Sequence, residues 1–445
     1  MKKLLSILLV VIMALVSLFS FACKDPVDPN NPNEGGNPPV ETPGEGEEPQ
    51  EPQDPVPPVE ENVGSDIFTQ VAPIEGAKVS LVKDFVQEWI DGYKDRGYCT
   101  NETIEYYNRS NKEFYRAIEG VDDDFHPVPV SISFDCTDTT ATKFIVQLAT
   151  DKNFTKNKVE IETTETSIEV ENLFVNKTYY WKVTAKFDSK QDEISKIYSF
   201  TTKKGIRTIE IEGVSNSRDL GGGLSRGNKI NSLIGSGDKQ IKQGLIYRAA
   251  ALDGITSVGR DTLVNVLGVK TQIDLRKSSE SANQKAINGV KHIKVDTNGG
   301  VSVLGADNLN WKYQNNSKVN TILKKEIDHF ANLSNYPIIF NCSAGRDRTG
   351  CLAFLIKGLC GAEKVDLFRD YEFGCFSWFG SNWGDARNDS GQAEAVFGCV
   401  ASAYNHIWNE YEGNYFADKV YNFLLDMGIS STTLDSIITQ MVELV

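Results

Sequence analysis

The chain has 445 residues, a formal net charge of −15, 40% hydrophobic and 10% aromatic residues. The acidic balance argues against a nucleic-acid partner, which would require a basic face. Once a polar N-terminal stretch is set aside, about 380 residues remain, enough for two domains with ordinary cores.

Residues 1–23 read as a secretory signal, with Lys2 and Lys3 as the basic end and Leu4 to Phe21 as the apolar run. A transmembrane anchor is the competing reading of such a run. Ser20-Phe21-Ala22-Cys23 resembles a bacterial lipobox, which would make Cys23 the lipid attachment site and the protein an extracytoplasmic lipoprotein anchored to the bacterial cell membrane. Residues 24–62 are rich in Pro, Glu, Asp, Asn and Gly. A segment with so few apolar side chains cannot offset its ordering entropy, so it is expected to be a disordered, extended tether.

Residues 66–204 alternate apolar and polar side chains in short runs. Gln70–Val82 reads as an edge strand, followed by Val128–Phe134, Lys143–Ala149, Val159–Glu162, Ser167–Val170, Thr178–Lys186 and Ile197–Thr201. Short strands separated by turns predict a β-sandwich. Residues 84–118 change period: Phe85, Val86, Trp89 and Ile90 suit one helix, and Ile104, Tyr107, Phe114 and Tyr115 another. This stretch reads as a helical insertion after the first strand. Tyr179-Tyr180-Trp181-Lys182-Val183 and the closing YSFTT resemble a fibronectin type III module. Nothing in this region looks catalytic. Asp122-Asp123-Asp124 reads as a solvated loop, and the domain as a spacer or adhesion module with a surface ligand of its own.

Residues 205–445 switch to a β/α rhythm. Strands are expected at Thr208–Glu212, Leu245–Arg248, Lys270–Asp274, Val290–Val295 and Pro337–Asn341, with helices at Ser257–Leu267, Ser278–Ala286 and Val319–Leu333. That pattern predicts an α/β domain with a mainly parallel sheet, in which ligands bind at the carboxyl ends of the strands. Pro337 to Leu352, PIIFNCSAGRDRTGCL, lies at such an end. An apolar strand runs into Cys342, then into a glycine-containing loop, then into a helix. Loop N–H groups and the helix N-terminus there converge on one anion. A nearby arginine and a helix N-terminus lower a thiol from about 8.5 to roughly 3.5–7.5, so Cys342 is the candidate nucleophile. Arg348 is the candidate for gripping phosphate oxygens and stabilising transition-state charge. Ser343, Ala344, Gly345 and Arg346 complete the cradle.

A bare Cys-x5-Arg is a weak signal; its company is not. CSAGRDRTG resembles the signature loop of the cysteine-dependent protein tyrosine phosphatases, and in particular their bacterial secreted branch. Further motifs of that branch have counterparts here in order: Asn216 to Gly222 (NSRDLGG), Leu245 to Leu252 (LIYRAAAL), Ile273 to Arg276 (IDLR) with Glu280 beyond it, Asp370-Tyr371-Glu372, and the closing Met427 to Ile438 (MGISSTTLDSII). The resemblance covers about residues 206–445. It implies hydrolysis of phosphate monoesters through phosphocysteine, with no cofactor and no metal. The implied substrate is a phosphorylated protein or, alternatively, a phosphoinositide or inositol phosphate. It also implies that Asp347 is the general acid, with Asp307 and Asp296 as runners-up. Thr349 is a candidate to hydrogen-bond Cys342, to cap the helix, or to do both. Asp219 and Arg276 are candidate substrate-binding residues, with the shaping of the RDLGG loop, by bonding its backbone, the favoured reading of Asp219. Residues 375–416, with Phe376, Trp378, Phe379, Trp383, Tyr404 and Trp408, fit either a lid or a helical subdomain. Asn341 stands where most relatives have His, and Arg346 where many have Lys. The first departure keeps open a catalytically silent binding module; the second keeps open a highly phosphorylated substrate.

Overall fold

The structure is a computed structural model that describes residues 63–92, 126–281, 284, 286–295, 317–374, 400–401 and 403–445. The signal, Cys23, the tether and the candidate acids Asp296 and Asp307 lie outside the described residues, as do residues 93–118 of the expected insertion and residues 375–399. No helix among the described residues is long and apolar enough to cross a membrane.

The N-terminal region forms two sheets. Strands β1 (Phe68–Ala72), β3 (Val130–Cys136) and β6 (Ser167–Val170) make one, in the order β1-β3-β6. The other runs β2 (Ala77–Val79), β9 (Tyr198–Thr202), β7 (Thr178–Lys186), β4 (Lys143–Ala149), β5 (Val159–Thr163), with β8 (Glu193–Ile194) on β7. Their alternating inward residues share one core: Ile132 and Phe134 from the first sheet, Val146, Leu148, Tyr179, Trp181 and Val183 from the second. This is the two-layer arrangement that period-2 strands produce. The expected edge strand at Gln70–Val82 is broken into β1 and β2 around the turn at Glu75-Gly76, where Gly76 has a positive φ of 74°.

Helix α1 (Asp84–Gly92) follows β2. Its buried residues are Val86, Gln87, Trp89 and Ile90. Val86, Trp89 and Ile90 join the apolar cluster of the second domain, with Cys342 and Phe373, rather than the core between the sheets.

The second domain is built on a five-stranded sheet, in the order β10 (Arg218–Asp219), β12 (Ile246–Ala249), β15 (Ile338–Asn341), β13 (Thr271–Asp274), β14 (Lys291–Lys294). Pairing is parallel except for β10 against β12. Both faces are covered, as a parallel sheet requires. On β15, Ile338 and Phe340 pack with α4 (Ser317–Ala331) and α5 (Asp347–Leu359), while Ile339 faces Ile209, Ile211 and Leu263. Helix α5 is buried almost all round from Thr349 to Leu359, which suits the central helix of a domain. Helices α6 (Lys364–Phe373), α7 (Phe416–Asp426) and α8 (Ser431–Met441) pack around it, and β16 (Val442–Leu444) pairs with β11 (Lys239–Ile241). Two shorter helices, α2 (Asn228–Ile234) and α3 (Ser257–Asp261), complete the set, the latter continuing as a π turn over Thr262–Val266.

Two expected elements differ. Thr208–Glu212 alternates in polarity, yet only Thr208 makes a bridge, to Arg218; Ile209 and Ile211 are buried under the sheet as an extended cover. Ser278–Ala286 does not form a helix among its described residues. The chain turns there, with Glu280 N–H and Ser281 N–H both donating to Lys277 O. Tyr404 and Trp408 pack into the helical bundle: Tyr404 stacks on Phe416 at 4.2 Å and on Trp408 at 5.9 Å. For these two residues the helical-subdomain reading holds, not the lid.

Candidate active site

Cys342 follows β15 directly and is buried. The loop after it is shaped from behind. Ser343 O accepts from Ala251 N–H at 3.0 Å. Ala344 O accepts from Asn216 Nδ2 at 3.0 Å, and Gly345 O from Asn216 Nδ2 at 3.1 Å and Arg248 Nη2 at 2.8 Å. Gly345 has φ of 67°, and a Cβ there would meet Ala249 O at 2.6 Å, so this position tolerates only glycine. With the carbonyls drawn back, the N–H groups of Ser343, Ala344, Gly345, Asp347 and Arg348 have no protein acceptor among the described residues. Five such donors and the N-terminus of α5 thus lie in the loop that follows Cys342, a set suited to binding a dianion.

The residues that hold the loop are themselves locked. Asp370, buried on α6, accepts from Arg218 Nε at 3.0 Å and Arg248 Nη1 at 2.6 Å, with Lys357 Nζ 3.9 Å away. Burial opposes its charge, but Lys357, Arg218 and Arg248 outweigh that and hold its carboxyl well below the usual range. Arg218 also donates to Asn216 Oδ1, fixing the side chain that reaches the loop. Asn216 sits at φ of 56°, a conformation asparagine tolerates better than most residues. Asn341 accepts from Gln272 Nε2 at 2.8 Å and donates to Cys342 O at 3.3 Å, so it ties β13 to the nucleophile.

Arg348 folds back across the loop. Its Nη1 donates to Glu280 Oε2 at 2.8 Å and Leu275 O at 3.2 Å; its Nη2 donates to Glu280 Oε1 at 2.9 Å and Ser343 Oγ at 3.3 Å. Burial works against the guanidinium charge, but the Glu280 bonds and the Cys342 and Asp347 charges prevail, so its pKa is raised. Hydrogen bonding to Arg348 brings the Glu280 carboxyl down to about 2. Asp347 opens α5 and is exposed at the loop, with no side-chain hydrogen bond among the described residues. Arg346, half-buried, runs beside Gly374, whose added Cβ would lie 3.5 Å from Arg346 Cγ.

Three expectations are corrected. Asp219 is spent on structure rather than substrate, in keeping with the loop-shaping reading: its Oδ1 accepts from Gly221 N–H at 2.8 Å, and its Oδ2 from Arg207 Nη1 at 2.7 Å and Gly244 N–H at 2.6 Å. Arg276 is equally committed, to Asp274, Asp253, Gln284 Oε1 and Glu280 O, which makes it the anchor of the turn that carries Glu280. Thr349 neither caps α5 nor bonds Cys342; the cap position is Arg346, and the buried Thr349 hydroxyl has no partner among the described residues.

Residues given no role in the sequence reading prove central: Asn216, Arg218, Arg248, Glu280 and Asp370. Each lies within a motif noted above, except Glu280, which follows the IDLR motif by four residues. Cys360 is inert core, its thiol pushed up to about 12 by burial. Among the described residues, no group of three or more His, Cys, Asp or Glu is placed to hold a metal ion.

Residues 209–443 match the tyrosine phosphatase family. The chain belongs to that family. Among its relatives, a tyrosine-protein phosphatase of Nostoc commune is 26% identical over 170 residues, 35% of this chain and 57% of the relative. A Cupriavidus necator protein named provisionally as a tyrosine-protein phosphatase is 23% identical, over 38% of this chain and 63% of its own length. The chain therefore spans less than two thirds of either relative. Among solved structures, the core catalytic domain of the PP-IP phosphatase SIW14 from S. cerevisiae, in complex with citrate, is 22% identical, with 36% of this chain and 88% of that one covered and a TM-score of 0.22. A second structure of the Siw14 catalytic core is 19% identical, covering 36% and 87%, with a TM-score of 0.21.

Proposed function

We propose that the protein hydrolyses phosphate monoesters of phosphotyrosine or other phosphoproteins through a phosphocysteine intermediate. One observation carries this reading: the carbonyls of Ser343, Ala344 and Gly345 are engaged by Ala251, Asn216 and Arg248, while five N–H groups of the loop that follows Cys342 have no protein acceptor among the described residues. The Cys342 thiolate attacks phosphorus, forming an S–P bond as the ester P–O bond breaks. Asp347 protonates the departing oxygen, then takes a proton from the water that cleaves the S–P bond and releases phosphate. The loop N–H groups and Arg348 stabilise the equatorial oxygens in both steps.

A second reading keeps the mechanism and changes the substrate to a phosphoinositide or inositol phosphate. Its support is the charge of Arg346 at the start of α5, beside the Cys342 loop. We read the two-sheet domain as fibronectin type III-like and as a contact module for a surface ligand, and Cys23 as a lipid anchor placing the protein outside the cytoplasm on the bacterial membrane.

The test is hydrolysis of p-nitrophenyl phosphate with EDTA present, for wild type and Cys342→Ser, followed by phosphopeptide and phosphoinositide panels. Turnover that ignores EDTA and vanishes in Cys342→Ser supports the thiolate mechanism. Equal inactivity of both proteins on all substrates would instead favour a silent phosphate-binding module.

A further inference from the structure

Helix α1 belongs by sequence to the N-terminal region, yet its apolar face completes the second domain. Trp89 is 0% exposed, and its ring lies 6.0 Å from that of Phe373, the last residue of α6. One turn earlier, Arg369 Nη1 donates to Ile90 O at 3.5 Å. The other side of this contact leads to the phosphate loop. The Arg218 guanidinium sits over the Phe373 ring at 5.6 Å, Arg218 bonds Asp370, Asp370 bonds Arg248, and Arg248 holds Gly345 O. The end of α6 also adjoins the loop's supports: a Cβ on Gly374 would be in ordinary contact with Arg218 Nη2 at 3.6 Å and Arg346 Cγ at 3.5 Å.

We propose that Trp89 is a positioning residue for the phosphate loop, so that the catalytic unit is completed by a helix from outside the phosphatase domain. The inference rests on the phosphatase reading above. A buried tryptophan contributes roughly 150–250 Å² of buried surface, and close-packed interiors pass the loss of such a wall to their neighbours. The neighbour here is the Phe373 ring under Arg218. Arg218 and Arg248 share one buried carboxylate, so a shift of either loosens the bonds that draw the Gly345 and Ala344 carbonyls back. The N-terminal region cannot simply swing to compensate. It is fastened a second time where Arg207 donates to Leu173 O at 3.0 Å and to Asn172 O at 2.5 Å, and where Gln243 exchanges two 3.0 Å bonds with Val175.

The experiment uses the compact unit Glu61–Val445, with Trp89→Ala and Trp89→Phe, and with Val146→Ala as a control in the core between the two sheets. Three quantities are measured: kcat and KM for p-nitrophenyl phosphate, the Kd of inorganic phosphate by calorimetry, and Tm. At a temperature where each variant is folded, Trp89→Ala is expected to lower kcat about tenfold or more and to weaken phosphate binding. Trp89→Phe should recover most of both, while Val146→Ala lowers Tm and leaves both intact. A Trp89→Ala protein with lowered Tm but wild-type kcat and phosphate Kd overturns the proposal. Should Trp89→Ala fail to fold, Trp89→Leu replaces it under the same criteria. If the wild type binds phosphate without turnover, the phosphatase reading fails and the Kd comparison alone decides the role of Trp89. Absence of both in the wild type overturns both.

Discussion

The Glu280 carboxylate grips the Arg348 guanidinium through two parallel hydrogen bonds, 2.8 Å from Nη1 and 2.9 Å from Nη2. Such a fork-to-fork pair fixes the plane of the guanidinium as well as its position. Glu280 is in turn fixed by Lys277 N–H at 2.7 Å, and its turn by Arg276. Glu280→Gln retains the shape but loses the charge and one acceptor. It is expected to lower kcat by about one to two orders of magnitude with a smaller effect on KM. Arg348→Lys should be more severe, because an ammonium cannot make the fork. Steady-state kinetics decide; an unchanged kcat in Glu280→Gln would mean that Leu275 O and Ser343 Oγ suffice to hold Arg348.

Asp347 has the exposure and freedom that a proton donor to the leaving oxygen needs. Asp347→Asn should therefore slow phenyl phosphate more than p-nitrophenyl phosphate, since the nitrophenolate leaves without protonation. An equal loss on both substrates would pass the role to Asp296 or Asp307.

Asp370 balances three cations in the interior. Removing one partner of a buried ionic cluster costs about 3–5 kcal/mol, so Asp370→Asn should shift the denaturation midpoint strongly and abolish turnover. A midpoint within experimental error of wild type would show that Arg218 and Arg248 find other partners.

Glu326, on α4, is buried, and burial pushes its carboxyl up to about 8, against the opposing pull of Arg348. A carboxyl whose folded pKa lies above its unfolded value favours the folded state while protonated. That contribution is full below about pH 4.5, declines as pH rises, and is gone above about 8, at about 1.4 kcal/mol for each pH unit between the two pKa values. Glu326→Gln removes the dependence. The wild-type Tm should fall relative to that of Glu326→Gln between about pH 4.5 and 8, as measured by thermal denaturation; parallel curves would contradict the assignment.

What could be read in the sequence was what local pattern determines. The strand, loop and helix around Cys342 follow from an apolar run, a glycine and a helical period, and β12, β13, β14 and β15 fall where alternation and turns put them. Side-chain partners were not legible. Asp219 and Arg276 lie beside strand ends, where ligands bind, but their charges are spent on Arg207 and on Asp253 and Asp274, pairings that exist only once the chain is folded. The same holds for α1. Its apolar face says that it is buried, but not against which neighbour; that depends on Phe373, nearly three hundred residues later. Thr208–Glu212 has a strand's alternation, but its two isoleucines are buried beneath the sheet rather than within it.

The carbonyls of the Cys342 loop are restrained by Asn216, Arg248 and Ala251, none of which belongs to the loop. Its shape is therefore stored elsewhere in the molecule. The nine residues CSAGRDRTG, transplanted as a cassette into a foreign scaffold or synthesised as a peptide, would keep the nucleophile and the arginine but lose the template that turns the amides outward.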